Sequence, residues 1–94
     1  MDINIQKFNE VASVAKASIS DKRWQNAIDK CVAGVTSGWW VVTELAHCVA
    51  VSTEAGKFYR ANEKHCQCEA FFRGQPCKHR SLYRLLALYN EMGN

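Results

Sequence analysis

Cys66-x-Cys68, then eight residues, then Cys77-x-His79 is the pattern in this chain that most restricts its conformation. Three thiols and an imidazole are the donor set that tetrahedral zinc prefers. The one-residue gaps limit the backbone. In an extended segment, residues i and i+2 project to the same side. In an α-helix they do not face each other. Cys66 and Cys68 can therefore converge on one ion only from extended or turned backbone. Cys77 must sit at or before a helix N-cap, held there by Pro76, with His79 in the first helical turn. A helix N-terminus also favours the thiolate of Cys77. The spacing therefore predicts an irregular stretch over 64–78, turning at Gly74-Gln75-Pro76. The four ligands point to one structural Zn²⁺ with a closed shell.

The rest of the composition suits that reading. The 94 residues are room for a single domain, 48% hydrophobic and 22% charged, which argues against a disordered or low-complexity chain. So short a chain buries a modest core and gains from a staple. The longest apolar runs, Trp39–Val42 and Cys48–Val51, fall far short of the roughly 20 residues that span a bilayer. The start, Met1-Asp2-Ile3-Asn4, is no secretory signal. A cytoplasmic, reducing location is expected, where the five cysteines serve as ligands and buried thiols rather than disulfides.

Phe8, Val11, Ala12, Ala15 and Ile19 repeat at helical spacing and predict a helix over 4–18. Ser18 and Asp21 form a loose capping box for a fresh start. Trp24, Ala27, Ile28, Cys31 and Val32 then continue the pattern toward Gly34 and Gly38. These are two helices, or one long helix kinked at the break. From Trp39 onward, Trp39–Thr43, Cys48–Thr53 and Phe58–Ala61 are rich in β-branched and aromatic residues, predicting a hairpin or three-stranded antiparallel sheet. Gly56 supplies positive φ to the turn at Glu54–Lys57. Leu82, Leu85, Leu86 and Tyr89 form one face of a helix over 79–91, ended by Gly93. The fold class is α+β: an N-terminal helical segment (1–37), then a ββα metal-binding unit (38–94), in one domain.

Cys66-Gln67-Cys68-Glu69-Ala70-Phe71 and Gly74-Gln75-Pro76-Cys77-Lys78-His79 resemble the SWIM-type zinc finger, C-x-C-x(n)-C-x-H. The resemblance runs from about Val49 to Leu88 and takes in Tyr59, Phe71 and the Leu-rich helix. It implies a ββα arrangement around zinc, with Cys66, Cys68, Cys77 and His79 as ligands. It also implies a role in binding DNA or other proteins. Glu69 stands where many members carry Pro, which leaves the turn there less rigid.

Net charge is +3, and the basic excess lies in the last third: Arg73, Lys78, Arg80 and Arg84 against Glu69 and Glu91. With Lys64, these four are the candidate nucleic-acid contacts, Arg80 and Arg84 sharing a helix face away from the leucines. The same cations would also balance a Zn(Cys)₃His centre of net charge −1. Cys31 and Cys48 read as core thiols, and His47 and His65 as neighbours of cysteines rather than ligands. Trp24 reads as core. Trp39 and Trp40 point to opposite faces of a strand, one filling the core and the other covered or offered to a partner. Phe71 and Phe72 cap the site, with Phe72 able to serve as a recognition knob. A DNA-binding module is the expected function. The alternative is a protein-interaction adaptor or homodimer acting through the N-terminal helices or an exposed Trp. No enzyme is expected, because there is no nucleophile–base pair, Gly-rich phosphate loop or open metal position.

Overall fold

The computed structural model describes residues 3–53 and 56–92. Helices α1 (Ile5–Ala17) and α2 (Lys22–Thr36) precede strands β1 (Val41–Glu44), β2 (Val49–Ser52) and β3 (Phe58–Ala61); a single-turn helix α3 (Glu69–Phe72) and a long α4 (Lys78–Met92) follow. The strands form one antiparallel sheet in the order β1-β2-β3. The α+β class expected from the sequence is the one observed. The expected helix stop at Gly93, and Glu54 and Ala55 of the β2–β3 turn, lie outside the described residues.

Each helix start has a local cause. Asn4 caps α1, its side chain accepting from the Lys7 N–H at 3.1 Å. Asp21 caps α2, accepting from the Arg23 N–H at 2.8 Å. The Ser18–Asp21 capping box does not form. Ser18 instead closes α1, its hydroxyl donating to the Ala15 carbonyl, and Asp21 satisfies an orphan amide of the next helix, that of Arg23. The two helices are therefore separate.

The first strand begins at Val41, not Trp39. Gly38 turns the chain at φ 77°, and the Trp40 N–H is spent on the Gly34 carbonyl at 3.2 Å rather than on the ladder. That hydrogen bond lays the Trp40 indole across α2. The expected division of the two tryptophans holds: Trp40 is buried and Trp39 is 60% exposed. Pairing of Val42 with Val51 and of Val51 with Tyr59 sets the register. Val42, Val49, Val51 and Ala61 then face a core completed by Phe8 and Val11 of α1, Ile28, Cys31 and Val35 of α2, and Leu82, Leu85 and Leu86 of α4. Fully burying side chains of this size contributes about 1.5–3 kcal/mol each. Cys48 is half-buried just outside β2, so its thiol is not a core group as Cys31 is. Trp24 is half-buried rather than fully enclosed.

The stretch 64–78 is not wholly irregular. Phe72 donates to Cys68 and Arg73 to Glu69, making the one turn of α3. Gly74 (φ 73°) then ends it, with Gly74 N–H on the Phe71 carbonyl and Gln75 N–H on the Ala70 carbonyl. This paired bonding is a Schellman stop. Four residues are too few to show a helical period, so this turn left no mark in the hydrophobic pattern.

Gly34 is buried against the Trp40 ring, and a methyl group there would meet Cζ2 at 2.7 Å. Gly34→Ala is expected to overpack this contact and cost about 1–3 kcal/mol, read as a lowered midpoint in urea unfolding.

Candidate metal centre

The loop after β3 places the first two cysteines. The Asn62 side chain accepts from the Lys64 and His65 N–H groups, both at 2.8 Å, and the Asn62 backbone N–H donates to the His65 carbonyl. This tight loop returns the chain antiparallel, so that Cys66 bridges Ala61. Ala61 faces the core, and Cys66 opposite it is fully buried. Cys68 remains extended (φ −86°, ψ 163°) and caps α3. Its thiol is buried on the same side as Cys66, as the two-residue repeat of extended chain requires.

The second pair comes from the start of α4. Cys77 immediately precedes the helix, and its carbonyl accepts from both the N–H and the hydroxyl of Ser81. His79 lies in the first turn, 2% exposed. Its ring stacks on Tyr59 (centroids 4.5 Å apart, planes at 28°) and leans on Trp40 at 5.4 Å. These two aromatics hold the imidazole with Nδ1 toward the sulfurs.

The four donor atoms lie within 4.8 Å of one another and all four residues are buried. His79 Nδ1 is 3.6 Å from Cys66 Sγ and 3.7 Å from Cys77 Sγ, and Cys68 Sγ is 3.2 Å from Cys77 Sγ. Metal–ligand lengths of 2.3 Å to sulfur and 2.0–2.1 Å to nitrogen imply tetrahedral edges of about 3.8 Å for S–S and about 3.5 Å for S–N. The S–N edges from Cys66 and Cys77 match; the Cys68–Cys77 edge is somewhat compressed. The donors could therefore hold one metal ion. All five cysteines are free thiols.

The electrostatics fit a cation as well. The Cys77 thiol is held well below its ordinary range, first by a hydrogen bond from Cys66, then by His79 and the Arg80 N–H, against the opposing effect of burial. Cys66 is pushed up, chiefly because it donates to Cys77 and then by burial, with the Cys68 N–H pulling the other way. Cys68 is raised by burial, opposed by the Phe71 N–H. Backbone amides thus stabilise negative sulfur at all three positions. One negative sulfur is accommodated, and a second and third need a positive charge among them. His79 Nε2 is buried with no hydrogen-bond partner among the described residues. A metal on Nδ1 would place the ring proton on this atom.

The remaining residues singled out from the sequence are scattered. His65 is exposed with its ring edge against Phe71, and His47 is exposed; neither belongs to the cluster. Phe71 is half-buried and Phe72 is 70% exposed. Arg73 pairs with Glu69 at the surface, and Arg84 and Lys64 are exposed. Lys78 lies half-buried, its Nζ 5.7 Å from the Trp40 ring centroid. Arg80 does not share Arg84's exposure. Its guanidinium lies 5.4 Å from the Trp24 ring centroid and 5.5 Å from that of Phe71, and donates to the Glu63 carbonyl. Its Nε is buried without a partner among the described residues. Arg80 is thus a brace tying α2, α3 and the loop after β3 to α4. Spacing alone placed it beside Arg84; only the tertiary fold shows that its charge is already engaged.

No family model matches the chain, and neither the curated proteins nor the solved structures compared with it include a significant match.

Cys77→Ser is expected to lower metal affinity by at least about 100-fold, whereas Cys48→Ser leaves it unchanged. Metal stoichiometry and competition with a chromogenic chelator distinguish the two variants.

Proposed function

We propose that this chain is a zinc-stabilised recognition module of the SWIM type, with its four donors holding one structural Zn²⁺ and its cationic surface engaging DNA. The observation that carries the metal reading is the buried Cys₃His cluster, whose S–N edges from Cys66 and Cys77 agree with zinc geometry. When bound, zinc supplies the positive charge that lets three buried thiolates coexist. Cys66 and Cys68 anchor the end of the sheet, and Cys77 and His79 anchor the start of α4. The centre thereby fixes the helix against the hairpin. Four protein donors complete the shell and leave no position for a reactive water, so the module recognises rather than catalyses. A reducing compartment keeps the thiols available as ligands.

The nucleic-acid reading rests on the cations that surround this anionic centre. Lys78 opens α4, and Arg84 is exposed one turn beyond the brace formed by Arg80. Arg73 makes an exposed pair with Glu69, worth about 0–1 kcal/mol, so a phosphate can take the carboxylate's place. A second reading, a protein adaptor, is favoured by one observation. Trp39, Val41 and Phe58 are each more than half exposed, and Val41, Ser52 and Phe58 align across the sheet.

Two measurements test these readings. The zinc-bound fold holds no thiol protons, while the unfolded chain holds up to three below the ordinary thiol range. Unfolding therefore takes up protons, and stability rises with pH. It should fall on acidification by up to about 4 kcal/mol per pH unit, measured by denaturation at pH 6, 7 and 8 in zinc buffer. A flat profile would remove the thiolate ligands from the model of the site. Separately, duplex DNA affinity should drop roughly 40-fold between 50 and 200 mM salt for three phosphate contacts. It should weaken further in Lys78→Ala and Arg84→Ala. Salt-insensitive self-association with no DNA binding would select the adaptor.

A further inference from the structure

Between α2 and the metal centre lies a cleft of about 300 Å³. Its α2 wall carries Arg23, Asn26 and Lys30, spaced i, i+3 and i+7 and so on one helix face. The opposite wall carries Tyr59, Gln75 and Lys78. Three cations thus surround one opening. The carboxylate that lines it, Glu69, is paired with Arg73. Among the described residues, Arg23 pairs with the Asp21 carboxylate, 3.7 Å away and at the surface. None of the α2 residues belongs to the Cys/His pattern.

We propose that this cleft is the phosphodiester site of the module, taking one nucleotide unit of a nucleic-acid strand. The inference rests on the nucleic-acid reading above and relocates its centre, from the outer face of α4 to the junction of α2 with the metal centre. Charge sets the ligand's sign: three cations against one carboxylate select an anion. The rest of the lining sets its class. An acidic peptide needs cations alone. A nucleotide also offers polar base edges and a ring face, and this cleft adds the Asn26 and Gln75 amides and the Tyr59 ring to its cations. The volume is at the lower end for small-ligand sites and suits one nucleotide rather than a large cofactor. Lys78 lies at the cleft and also opens α4, so metal-dependent placement of that helix start sets one wall of the site. Arg80, through Trp24 and Phe71, ties the α2 wall to the metal-centre wall.

The test uses the full zinc-loaded chain and three labelled probes: a 20-nucleotide oligo-dT, a 20-base-pair duplex and a poly-glutamate peptide of equal charge. Binding is titrated by anisotropy across a salt series, with zinc content and thermal midpoint recorded for every variant. Arg23→Ala/Lys30→Ala is expected to weaken nucleic-acid binding by at least about tenfold. It should also reduce the slope of log K against log salt by about 1–2, with zinc content and midpoint unchanged. Lys7→Gln, which removes one positive charge from α1, should leave affinity within about twofold. The charge-preserving Arg23→Lys/Lys30→Arg should restore binding. Preference between oligo-dT and duplex identifies the strand form that supplies the phosphodiester. If the native protein binds DNA and the double variant keeps its affinity and slope, the cleft is not the site and the broader reading stands. If the native protein binds no nucleic acid at any salt, that broader reading fails and takes the cleft with it. Equal affinity for poly-glutamate overturns the choice of nucleic acid. Loss of zinc from the double variant overturns the binding role, because Arg23 and Lys30 would then serve to neutralise the metal centre.

Discussion

Three thiols and an imidazole meet inside the apolar core, and the architecture is arranged around the problem of keeping negative sulfur there. Burial drives thiols toward the protonated form, as it does for Cys31, where the negative sulfur of Cys77 adds to the effect. At Cys66, Cys68 and Cys77 the backbone opposes that tendency with amides from Cys68, Phe71 and Arg80. The tight loop at Asn62, the single turn of α3 and the start of α4 set those amides beside the sulfurs. The same core includes Leu82, Leu85 and Leu86 together with the three cysteines. Packing and ligand chemistry are therefore one structure, and disturbing either disturbs both.

The imidazole is held with similar care. Tyr59 from β3 and Trp40 from the segment before β1 grip the His79 ring, and Trp40 in turn lies on the backbone of α2 at Gly34. A continuous line of contact joins the N-terminal helices to the centre. The helical segment is thus part of the framework that orients a donor atom.

The architecture was legible where local pattern dominates. Phe8, Val11, Ala12 and Ala15 mark α1 by their spacing, and β-branched runs mark the three strands. Convergence of Cys66, Cys68, Cys77 and His79 was legible because one-residue gaps permit few backbone shapes. What escaped was set by contacts distant in sequence. Trp39 looks like strand until Gly34 claims the next amide. Arg80 looks like the surface partner of Arg84 until Trp24, Phe71 and the Glu63 carbonyl surround it. Arg23 and Lys30 read as ordinary solvated charges on α2, because only docking of the metal-centre loop turns their face into a cleft wall. α3 is one turn long and has no period to read.

The span of the contacts carries a consequence for how the chain acquires its structure. Cys66 and His79 are 13 residues apart, so their loop closes at little entropic expense. The Asn4 N–H reaches the Tyr89 hydroxyl at 3.0 Å across 85 residues, with Phe8 and Lys7 packed on the same ring. Closure of that longer loop depends on every residue between Asn4 and Tyr89 being present. During synthesis the face of α1 that rests on α4 waits, uncovered, until α4 has been made, while the short Cys/His loop needs only its own residues to gather. Local closure, of the Cys/His loop and of the adjacent α1–α2 pair, before the seam between α1 and α4 is the order these distances favour.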